Sequence, residues 1–575
     1  MRNKIANVSL YAVLLLSTLG VGAQTVVHNS RELSSVLRQN KDFGIIYLDG
    51  DEFCLGTTNV VAGGTVLPAS GRTPVITPQS QVLLKRISKA VGDGSWIGRV
   101  ICEKARDFIV LDGQNNLIPF STVTIANDKS GNVAKDILRM DKSKRLVKFL
   151  IPEQLKSLAK KSTQELQFCT IKVSYWFVCF NINNLHSDAK YFYGTIDTEY
   201  NYNLLSIHPD TPIQMSFFNI PLPGNGVYLD GNNFLHVPDR YEEVKFFEGG
   251  KLLLLSGERS LTFEGITFAG AYSTVEVSGP DKHFKNCIFK NCCYGITCNY
   301  GVANKDGRCS VENCSFSDLY NNVAIKFLGC NNIVIANNIL TRTGIVNKGG
   351  SLIDVSGENF QVKGNDISAF SYIAIRVGNT RDYGKEIISG KVSENIIDNI
   401  ANYGKAECQI TDGGGIYIFT HNDNTEVSDN LVRNIGFKNG AERGIFLDDG
   451  AYNVKVLRNL VYNIYPGDMA IHARYEDQFE HSCMNNVFEY NIVIGDCLLA
   501  GNRKGIGNKT VIRNNYISGD VKTQGDSYVE MTSTKKIKAE VGEDGKLYID
   551  RSNKVKKRTF NNSLRQIFNN RRRIN

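Results

Sequence analysis

Asp429-Asn430-Leu431-Val432 is one copy of a short step that returns throughout residues 286–517. The copies lie between 24 and 35 residues apart, and the chain between them holds short apolar runs punctuated by Gly and Asn, with no helical period. A repeat of this length built from strands and turns predicts an all-β fold, a right-handed parallel β-helix whose coils stack about 4.8 Å apart. The other copies are Asn286-Cys287-Ile288-Phe289, Asn313-Cys314-Ser315-Phe316, Asn337-Asn338-Ile339-Leu340, Asn365-Asp366-Ile367, Glu394-Asn395-Ile396-Ile397, Arg458-Asn459-Leu460-Val461, Tyr490-Asn491-Ile492-Val493 and Asn514-Asn515-Tyr516-Ile517.

The second residue of each copy marks the same place in successive coils, as Asn338, Asp366 and Asn430 do. Asn suits a turn at this place because it tolerates the left-handed backbone conformation. Its amide can also bond to the same residue in the coils above and below. We therefore expect one Asn per coil to form the turn and to join neighbouring coils.

Composition divides the chain into five expected parts. Residues 1–23 join a basic start to a short apolar run and small residues, which is typical of a secretory signal peptide, so we expect an exported, periplasmic or extracellular protein. Residues 24–84 should form an N-terminal cap, with Ser30 as the N-cap of a short helix, and the first coils. Residues 85–220 lose the Asn repeat, which predicts an inserted antiparallel, barrel-like β domain. Residues 221–520 should form the parallel β-helix, and residues 521–575 a C-terminal cap and basic tail.

The net charge of +8 is carried by the ends of the chain. Residues 551–575 hold many Lys and Arg and no acid, while the repeat region is nearly neutral, so we expect no nucleic-acid partner. No later segment is apolar enough for a membrane span, and we expect a monomer. The 14 cysteines lack zinc-site spacing and partly share repeat positions, as Cys287 and Cys314 do, which predicts stacked, mostly buried thiols with room for one or two disulfides.

A second strand precedes the Asn step, and six such strands align without gaps. Because side chains alternate across a strand, one set should point into the β-helix and the set between should face solvent. The predicted inward column is Ile325, Ile353, Ile375, Ile416, Ile445 and Ile471. The predicted outward residues are Lys326, Asp354, Arg376, Tyr417, Phe446 and His472 and, one step on, Phe419, Asp448 and Arg474.

This outward face mixes cations, carboxylates, a His and aromatic rings. Aromatic planes stack on the apolar faces of sugars, and Arg or Asp bind hydroxyls and carboxylates, so the mixture favours a carbohydrate substrate. A solvated face without a ligand is the alternative. The expected substrate-binding residues are Tyr417, His421, Arg443, Phe446, His472, Arg474 and Arg376.

Asp448 is the central candidate for catalysis. By register it lies one coil from Arg474, whose charge would keep one carboxylate ionised. A second carboxylate, Asp449 or Glu476, would stay protonated and act as the acid of glycoside hydrolysis. Asp412 joins them only if the following glycines, 413–415, fold back; otherwise it is a turn former or a calcium ligand. We expect no cofactor, with a structural Ca²⁺ as the single exception, and no catalytic metal.

Two phrases carry a family resemblance. Asp412-Gly413-Gly414-Gly415-Ile416-Tyr417 and Gly444-Ile445-Phe446-Leu447-Asp448-Asp449-Gly450, in this order, resemble the secreted β-helix enzymes of glycoside hydrolase family 141, with family 120 as a neighbour. The resemblance extends over residues 30–520. It implies α-L-fucosidase, xylanase or related activity and catalytic carboxylates among Asp412, Asp448 and Asp449, with a further acid at Glu476.

Three functions therefore stay open. The first is a secreted glycoside hydrolase acting on a plant or host glycan. The second is a polysaccharide lyase acting on a uronate, for which Lys326, Arg376 and Asp354 are the grouped candidates. The third is a carbohydrate-binding or surface protein without catalysis. Incubation with glycans distinguishes these functions. A hydrolase releases reducing ends, a lyase also produces an unsaturated uronide that absorbs light, and a binding protein leaves the glycan intact.

Overall fold

The computed structural model describes residues 24–549 with internal gaps. The predicted signal peptide and most of the predicted basic tail lie outside the described residues. The gaps are residues 80, 87–94, 101–107, 115–117, 119–120, 126–138, 142–145, 151–170, 176–177, 188–190, 197–212, 218–225, 230–233, 249, 299–307, 348, 379–386, 401–412, 420–423, 437–441, 449–450, 466–468, 476–482, 500–508, 524–528 and 542–546.

Three long parallel sheets form a β-helix, which confirms the predicted fold class. Each coil contributes one strand to each sheet in turn. One coil, for example, runs from Ile325–Phe327 in sheet 3 to Val334–Ala336 in sheet 1 and Ile339–Asn347 in sheet 2 before Ser351–Val355 starts the next coil in sheet 3. Short runs of β-branched and aromatic residues form these strands because each coil needs only a few inward side chains.

The strands of sheet 1 are Gln24–Val27, Asp42–Leu48, Gly63–Pro68, Leu261–Glu264, Lys282–Lys285, Ser310–Glu312, Val334–Ala336, Glu358–Lys363, Ser389–Ser393, Asn424–Ser428, Val454–Leu457, Val487–Glu489, Thr510–Arg513 and Val529–Thr532. Those of sheet 2 are Glu52–Leu55, Val75–Pro78, Thr267–Ala269, Ile288–Lys290, Ser315–Asn321, Ile339–Asn347, Asp366–Phe370, Ile396–Ile400, Leu431–Ile435, Leu460–Ile464, Ile492–Val493, Tyr516–Ile517 and Lys535–Lys536. Those of sheet 3 are Thr58–Val60, Lys251–Leu255, Ser273–Val277, Tyr294–Cys298, Ile325–Phe327, Ser351–Val355, Ile373–Val377, Gly414–Phe419, Arg443–Asp448, Met469–Ala473, Cys497–Leu499 and Val521–Thr523.

The interior of sheet 3 follows the predicted register. Each Ile of the predicted inward column pairs with the next one along the stack, from Ile325 to Ile471, and none is more than 2% exposed. Two residues further on, a second buried column runs from Phe327 to Ala473. Stacked apolar side chains of this kind supply the main stabilising term of the fold.

Each strand of sheet 1 from Leu261–Glu264 onward turns into the next strand of sheet 2 through two residues, which we call the Asn corner. Its first residue has a positive φ, such as 56° at Asn337 and 59° at Asp429. Its second residue is a buried Asn in most coils. The Nδ2 atom of Asn430 donates to the Val392 carbonyl at 3.0 Å and to Oδ1 of Asn459 at 2.9 Å. Equivalent bonds join Asn338, Asn365, Asn395, Asn430, Asn459, Asn491 and Asn515 into an asparagine ladder.

From the sequence we expected one Asn per coil both to form the turn and to bond to neighbouring coils. In the structure, two successive residues share these roles. The left-handed conformation belongs to the first residue of the corner and the hydrogen bonds between coils belong to the second. In one coil the predicted marker, Asp366, is wrong. Gly364 holds the positive φ of 67° there, so Asn365 is the member of the ladder.

Cysteine replaces Asn in the two coils before Asn338. The backbone N–H of Cys314 donates to Oδ1 of Asn338 at 2.8 Å, and the N–H of Cys287 reaches the Cys314 sulfur at 3.4 Å. Among the described residues, ten cysteines are free thiols and nine of these are buried, which confirms the prediction of mostly buried thiols for them; Cys287 and Cys314 also stack in successive coils.

Antiparallel strands interrupt the stack early in the chain. The chain leaves the β-helix after Val75–Pro78 and returns at Lys251–Leu255, which pairs directly with Thr58–Val60. The antiparallel pairing runs from Gln81 to Glu248, further on both sides than the predicted domain of 85–220, because strands from both ends of the insertion pair with each other. The antiparallel strands are Gln81–Lys85, Ser95–Arg99, Phe108–Asp112, Ser121–Ile125, Arg139–Asp141, Leu146–Leu150, Ile171–Tyr175, Val178–Ser187, Tyr191–Ile196, Ile213–Phe217, Tyr228–Leu229, Phe234–Pro238 and Glu243–Glu248.

The two ends of the stack differ from the prediction in detail. The helix Ser30–Leu37 is capped by Asn29, whose side chain accepts the N–H groups of Arg31 and Glu32, so the predicted Ser30 N-cap is off by one residue. Parallel pairing continues past residue 520 to Lys535–Lys536, and a hairpin of Ala539–Val541 and Leu547–Ile549 follows. Within the described residues, no helix has the length and apolar character needed to cross a bilayer.

Candidate functional site

The outer face of sheet 3 carries the residues that the sequence placed there. In-register pairing joins Lys326, Asp354, Arg376, Tyr417, Phe446 and His472 into one row across successive coils. The expectation that this row faces solvent is wrong for most of its members. Phe446 is 0% exposed, Asp354 3%, Tyr417 6% and His472 7%. Strand alternation predicts which side of a sheet a residue occupies, but not what else packs on that side.

Asp448 lies on this face as predicted, one coil from Arg474. The Tyr417 hydroxyl donates to its Oδ2 atom. Its Oδ1 atom is 3.5 Å from an Arg474 guanidinium nitrogen and accepts no hydrogen bond from the described residues, although it is buried. The carboxylate is therefore fixed through one oxygen, while the other is held by charge.

His472 and Arg443 form a second group beside it. The Nε atom of Arg443 donates to Nδ1 of His472 at 2.9 Å. The imidazole stacks on Phe446 with ring centroids 4.8 Å apart, and the Arg443 guanidinium lies 5.1 Å from the centroid of the same ring. Burial, helped by the charges of Arg443 and Arg474, lowers the pKa of His472 to about 3. His472 is therefore neutral near pH 7.

Asp354 and Arg376 form a two-pronged ion pair in the earlier coils. The Arg376 guanidinium donates to both carboxylate oxygens, at 2.9 and 2.6 Å. Arg376 lies next to Tyr417 in register, so this pair borders the aromatic part of the row. Because both oxygens of Asp354 accept hydrogen bonds from Arg376, the pair holds the guanidinium in its charged form.

The glycines 413–415 have a packing explanation. A Cβ on Gly413 would meet the Tyr372 carbonyl at 2.7 Å, and a Cβ on Gly415 would meet the Gly444 carbonyl at 2.7 Å. The run does not fold back, because Gly414 pairs in register with Arg443 as the first residue of a regular strand. The condition under which we expected Asp412 to join Asp448 is therefore not met.

Four predicted site residues, Asp412, His421, Asp449 and Glu476, lie outside the described residues. The structure adds two residues to this region: Glu442, which is 0% exposed at the entry of the Arg443 strand, and Tyr372, which packs with Tyr417 and Phe446. Glu442 could have been found from the sequence, because it is a carboxylate that directly precedes the Arg443 strand. Among the described residues, no group of three His, Cys, Asp or Glu side chains is placed to hold a metal ion.

No protein-family model and no curated protein sequence matches the chain. Among solved structures, one described as a glycoside hydrolase is 12% identical, covers 72% of this chain and 86% of its own, and has a TM-score of 0.49. A family 6 alginate lyase is 12% identical over 54% of this chain and 51% of its own, with a TM-score of 0.26. A family 87 α-1,3-glucanase in complex with nigerose is 9% identical over 77% of this chain and 99% of its own, with a TM-score of 0.20. The resemblance to families 141 and 120 is not confirmed by these matches, so function must be inferred from the side chains of sheet 3.

Proposed function

We propose that the protein is a glycoside hydrolase that acts on a plant or host polysaccharide or oligosaccharide through Asp448. The observation that carries this proposal is the asymmetric environment of one buried carboxylate. Tyr417 fixes one oxygen of Asp448, and the other oxygen is buried beside Arg474 without accepting a hydrogen bond from the described residues. Because this oxygen is enclosed in the structure, the proposal requires that substrate binding opens the site, after which the oriented carboxylate can attack an anomeric carbon or activate water.

The roles follow from the contacts. Asp448 is the nucleophile or general base, Tyr417 orients it, and Arg474 stabilises its negative charge. Phe446 is fully buried and offers no face to a sugar, so its role is to support His472 and Arg443.

The proposal also needs an acid for the leaving oxygen. The sequence candidates that remain for it are Asp449 and Glu476, because the glycine run before Ile416 does not fold back to bring Asp412 to Asp448. A separation of about 5 Å between the two carboxyls would give a retaining enzyme, and roughly 6.5–9.5 Å an inverting one.

The lyase alternative is less well supported. A lyase needs a base that can take the proton beside the uronate carboxylate, and Arg376 cannot serve while both prongs of its guanidinium bind Asp354. Lys326 is then the remaining candidate of the three that the sequence grouped.

The test is glycan digestion by the wild type, Asp448→Asn and a matched control. Asp398→Asn is the control because Asp398 is also the partner of an arginine, Arg433, but it is half-buried and lies on sheet 2. We expect Asp448→Asn to lower the release of reducing ends by about 10²–10⁴-fold, a loss typical of removing a catalytic group. We expect Asp398→Asn to retain activity, and the melting temperature of Asp448→Asn to stay near that of the wild type.

Each other outcome contradicts the proposal in a different way. Full activity of Asp448→Asn would place the reaction elsewhere. Absorbance of an unsaturated uronide among the products would show a lyase. Glycan binding without any cleavage by the wild type would show a binding protein.

A further inference from the structure

His472 is almost completely buried and yet keeps one ring nitrogen without a partner. The side chain is 7% exposed, and Nδ1 is occupied by Arg443. No residue that the structure describes bonds to Nε2. This atom is also absent from the fully enclosed polar atoms, so it retains access to the surface of the site. A ring nitrogen that reaches the surface of the site and has no protein partner can bond to a ligand.

The bond from Arg443 fixes the protonation of the ring. A guanidinium N–H can only donate, so Nδ1 of His472 must accept, and the proton of the neutral ring is on Nε2. The pKa of about 3 keeps this form at physiological pH. His472 therefore presents a hydrogen-bond donor of fixed position.

Arg443 differs from other arginines along the β-helix. Within the described part of the chain it has no carboxylate partner, although it is half-buried. A buried cation without a counter-charge is unfavourable. By contrast, each of the following arginines has a carboxylate oxygen within 2.9 Å: Arg342, Arg376, Arg433, Arg458 and Arg513.

We propose that Arg443 and His472 form a subsite for an anionic substituent of the sugar, either the carboxylate of a uronic acid or a sulfate ester. Both side chains offer donors to it, and Arg443 supplies a charge that no carboxylate in the described residues balances. The inference rests on the proposed function, because the substituent belongs to the sugar chain on which Asp448 acts. His472 pairs with Phe446, and Asp448 is two residues beyond Phe446. One coil and two residues correspond to roughly 8 Å, so the anionic group lies on the sugar being cleaved or on its neighbour.

The test measures binding to paired ligands that differ only in charge. One pair is an oligogalacturonide and its carboxyl-reduced form, and the other is a sulfated oligosaccharide and its desulfated form. Binding is measured by calorimetry with the full-length Asp448→Asn protein, because this substitution prevents turnover. Arg443→Gln and His472→Gln are each combined with Asp448→Asn in a double variant. The matched control is Arg433→Gln, since Arg433 is also partly buried but lies on sheet 2 and binds Asp398.

We expect one acidic ligand to bind about tenfold more tightly than its neutral partner, a difference typical of one charge-assisted contact. Arg443→Gln should abolish this preference, His472→Gln should weaken binding of the acidic ligand, and Arg433→Gln should leave both unchanged. The ligand pair that shows the preference distinguishes carboxylate from sulfate. Equal binding of acidic and neutral forms in both pairs would overturn the inference. A preference that survives Arg443→Gln in a variant with an unchanged melting temperature would overturn it too.

Failure of this inference can be told apart from failure of the proposed function. If wild type cleaves neutral glycans through Asp448 and Arg443→Gln cleaves them equally well, with no acidic preference in binding, the anionic subsite is refuted and hydrolysis stands. If an acidic preference depends on Arg443 but no glycan is cleaved, the subsite is supported and hydrolysis is refuted.

Discussion

The corners of the β-helix differ according to the sheets that they join. The Asn corner between sheets 1 and 2 has two residues in coil after coil, as between Ser428 and Leu431 and between Leu457 and Leu460. The corners that flank sheet 3 vary instead. Two residues separate Asp366–Phe370 from Ile373–Val377, but 13 separate Ile396–Ile400 from Gly414–Phe419.

The hydrogen bonding of the two regions differs in the same way. The ladder repeats one neutral side chain, and an amide inside it, such as that of Asn430, is bonded to the coils on both sides. The outer face of sheet 3 changes residue at every coil and leaves Nε2 of His472 and Oδ1 of Asp448 without hydrogen bonds from the described residues. A repeated and saturated polar row serves the fold, whereas a varied and unsaturated one has groups available for a ligand.

The largest effect should come from breaking the ladder. Asn430→Ala removes two bonds donated by Nδ2 and two accepted by Oδ1, and it leaves the buried Val392 carbonyl without this donor. We expect the free energy of unfolding to fall by about 4 kcal/mol, measured by chemical denaturation. Lys455→Ala, at an exposed position of sheet 1, is the control and should change it by less than about 0.5 kcal/mol. Equal stability of the two variants would show that the ladder is not a main support of the stack.

A smaller effect concerns the pH dependence that sheet 3 adds. The pKa of His472 is about 3 in the folded protein, below the ordinary 6.5, so the unfolded chain binds a proton more readily. The contribution of neutral His472 is complete above pH 6.5 and is lost as the pH falls toward 3. We expect acidification from pH 7 to pH 4 to cost the wild type about 3 kcal/mol more than His472→Gln. Denaturation curves at the two pH values measure this, and parallel losses in both proteins would contradict it.

The smallest effect tests whether Asn is specifically favoured in the ladder. The Cys314 sulfur contacts the Phe284 carbonyl at 3.5 Å and the Cys287 N–H at 3.4 Å, the two partners that an Asn amide would bond more strongly. We expect Cys314→Asn to raise the free energy of unfolding by about 1 kcal/mol and Cys314→Ala to lower it by a similar amount. The comparison with sheet 3 would lose its basis if Cys314→Asn proved no more stable than Cys314→Ala in thermal denaturation.

The sequence predicted the parts of the molecule that depend on neighbouring coils. Alternation along each strand and alignment of the coils were enough to place Ile416 inside and Asp448 outside beside Arg474. The burial of Phe446 could not be predicted, because the residues that cover an outer face do not repeat. The contact of Arg443 with His472 was also hidden. Arg443 is two residues before the inward Ile445, so strand alternation predicts that it also points inward. Its contact with His472 shows that alternation does not hold at the first residue of this strand.

The pairing of Lys251–Leu255 with Thr58–Val60 has a consequence for the evolution of the gene. Pairing across the insertion also joins Leu261–Glu264 to Gly63–Pro68 and Thr267–Ala269 to Val75–Pro78, so these two coils are adjacent members of the stack. The segment 79–250 therefore begins and ends at neighbouring levels of one scaffold. A deletion or exchange of that segment at the DNA level would leave the register of every later coil intact, but a replacement would still have to cover Tyr320 and Cys293, which pack against the present insertion.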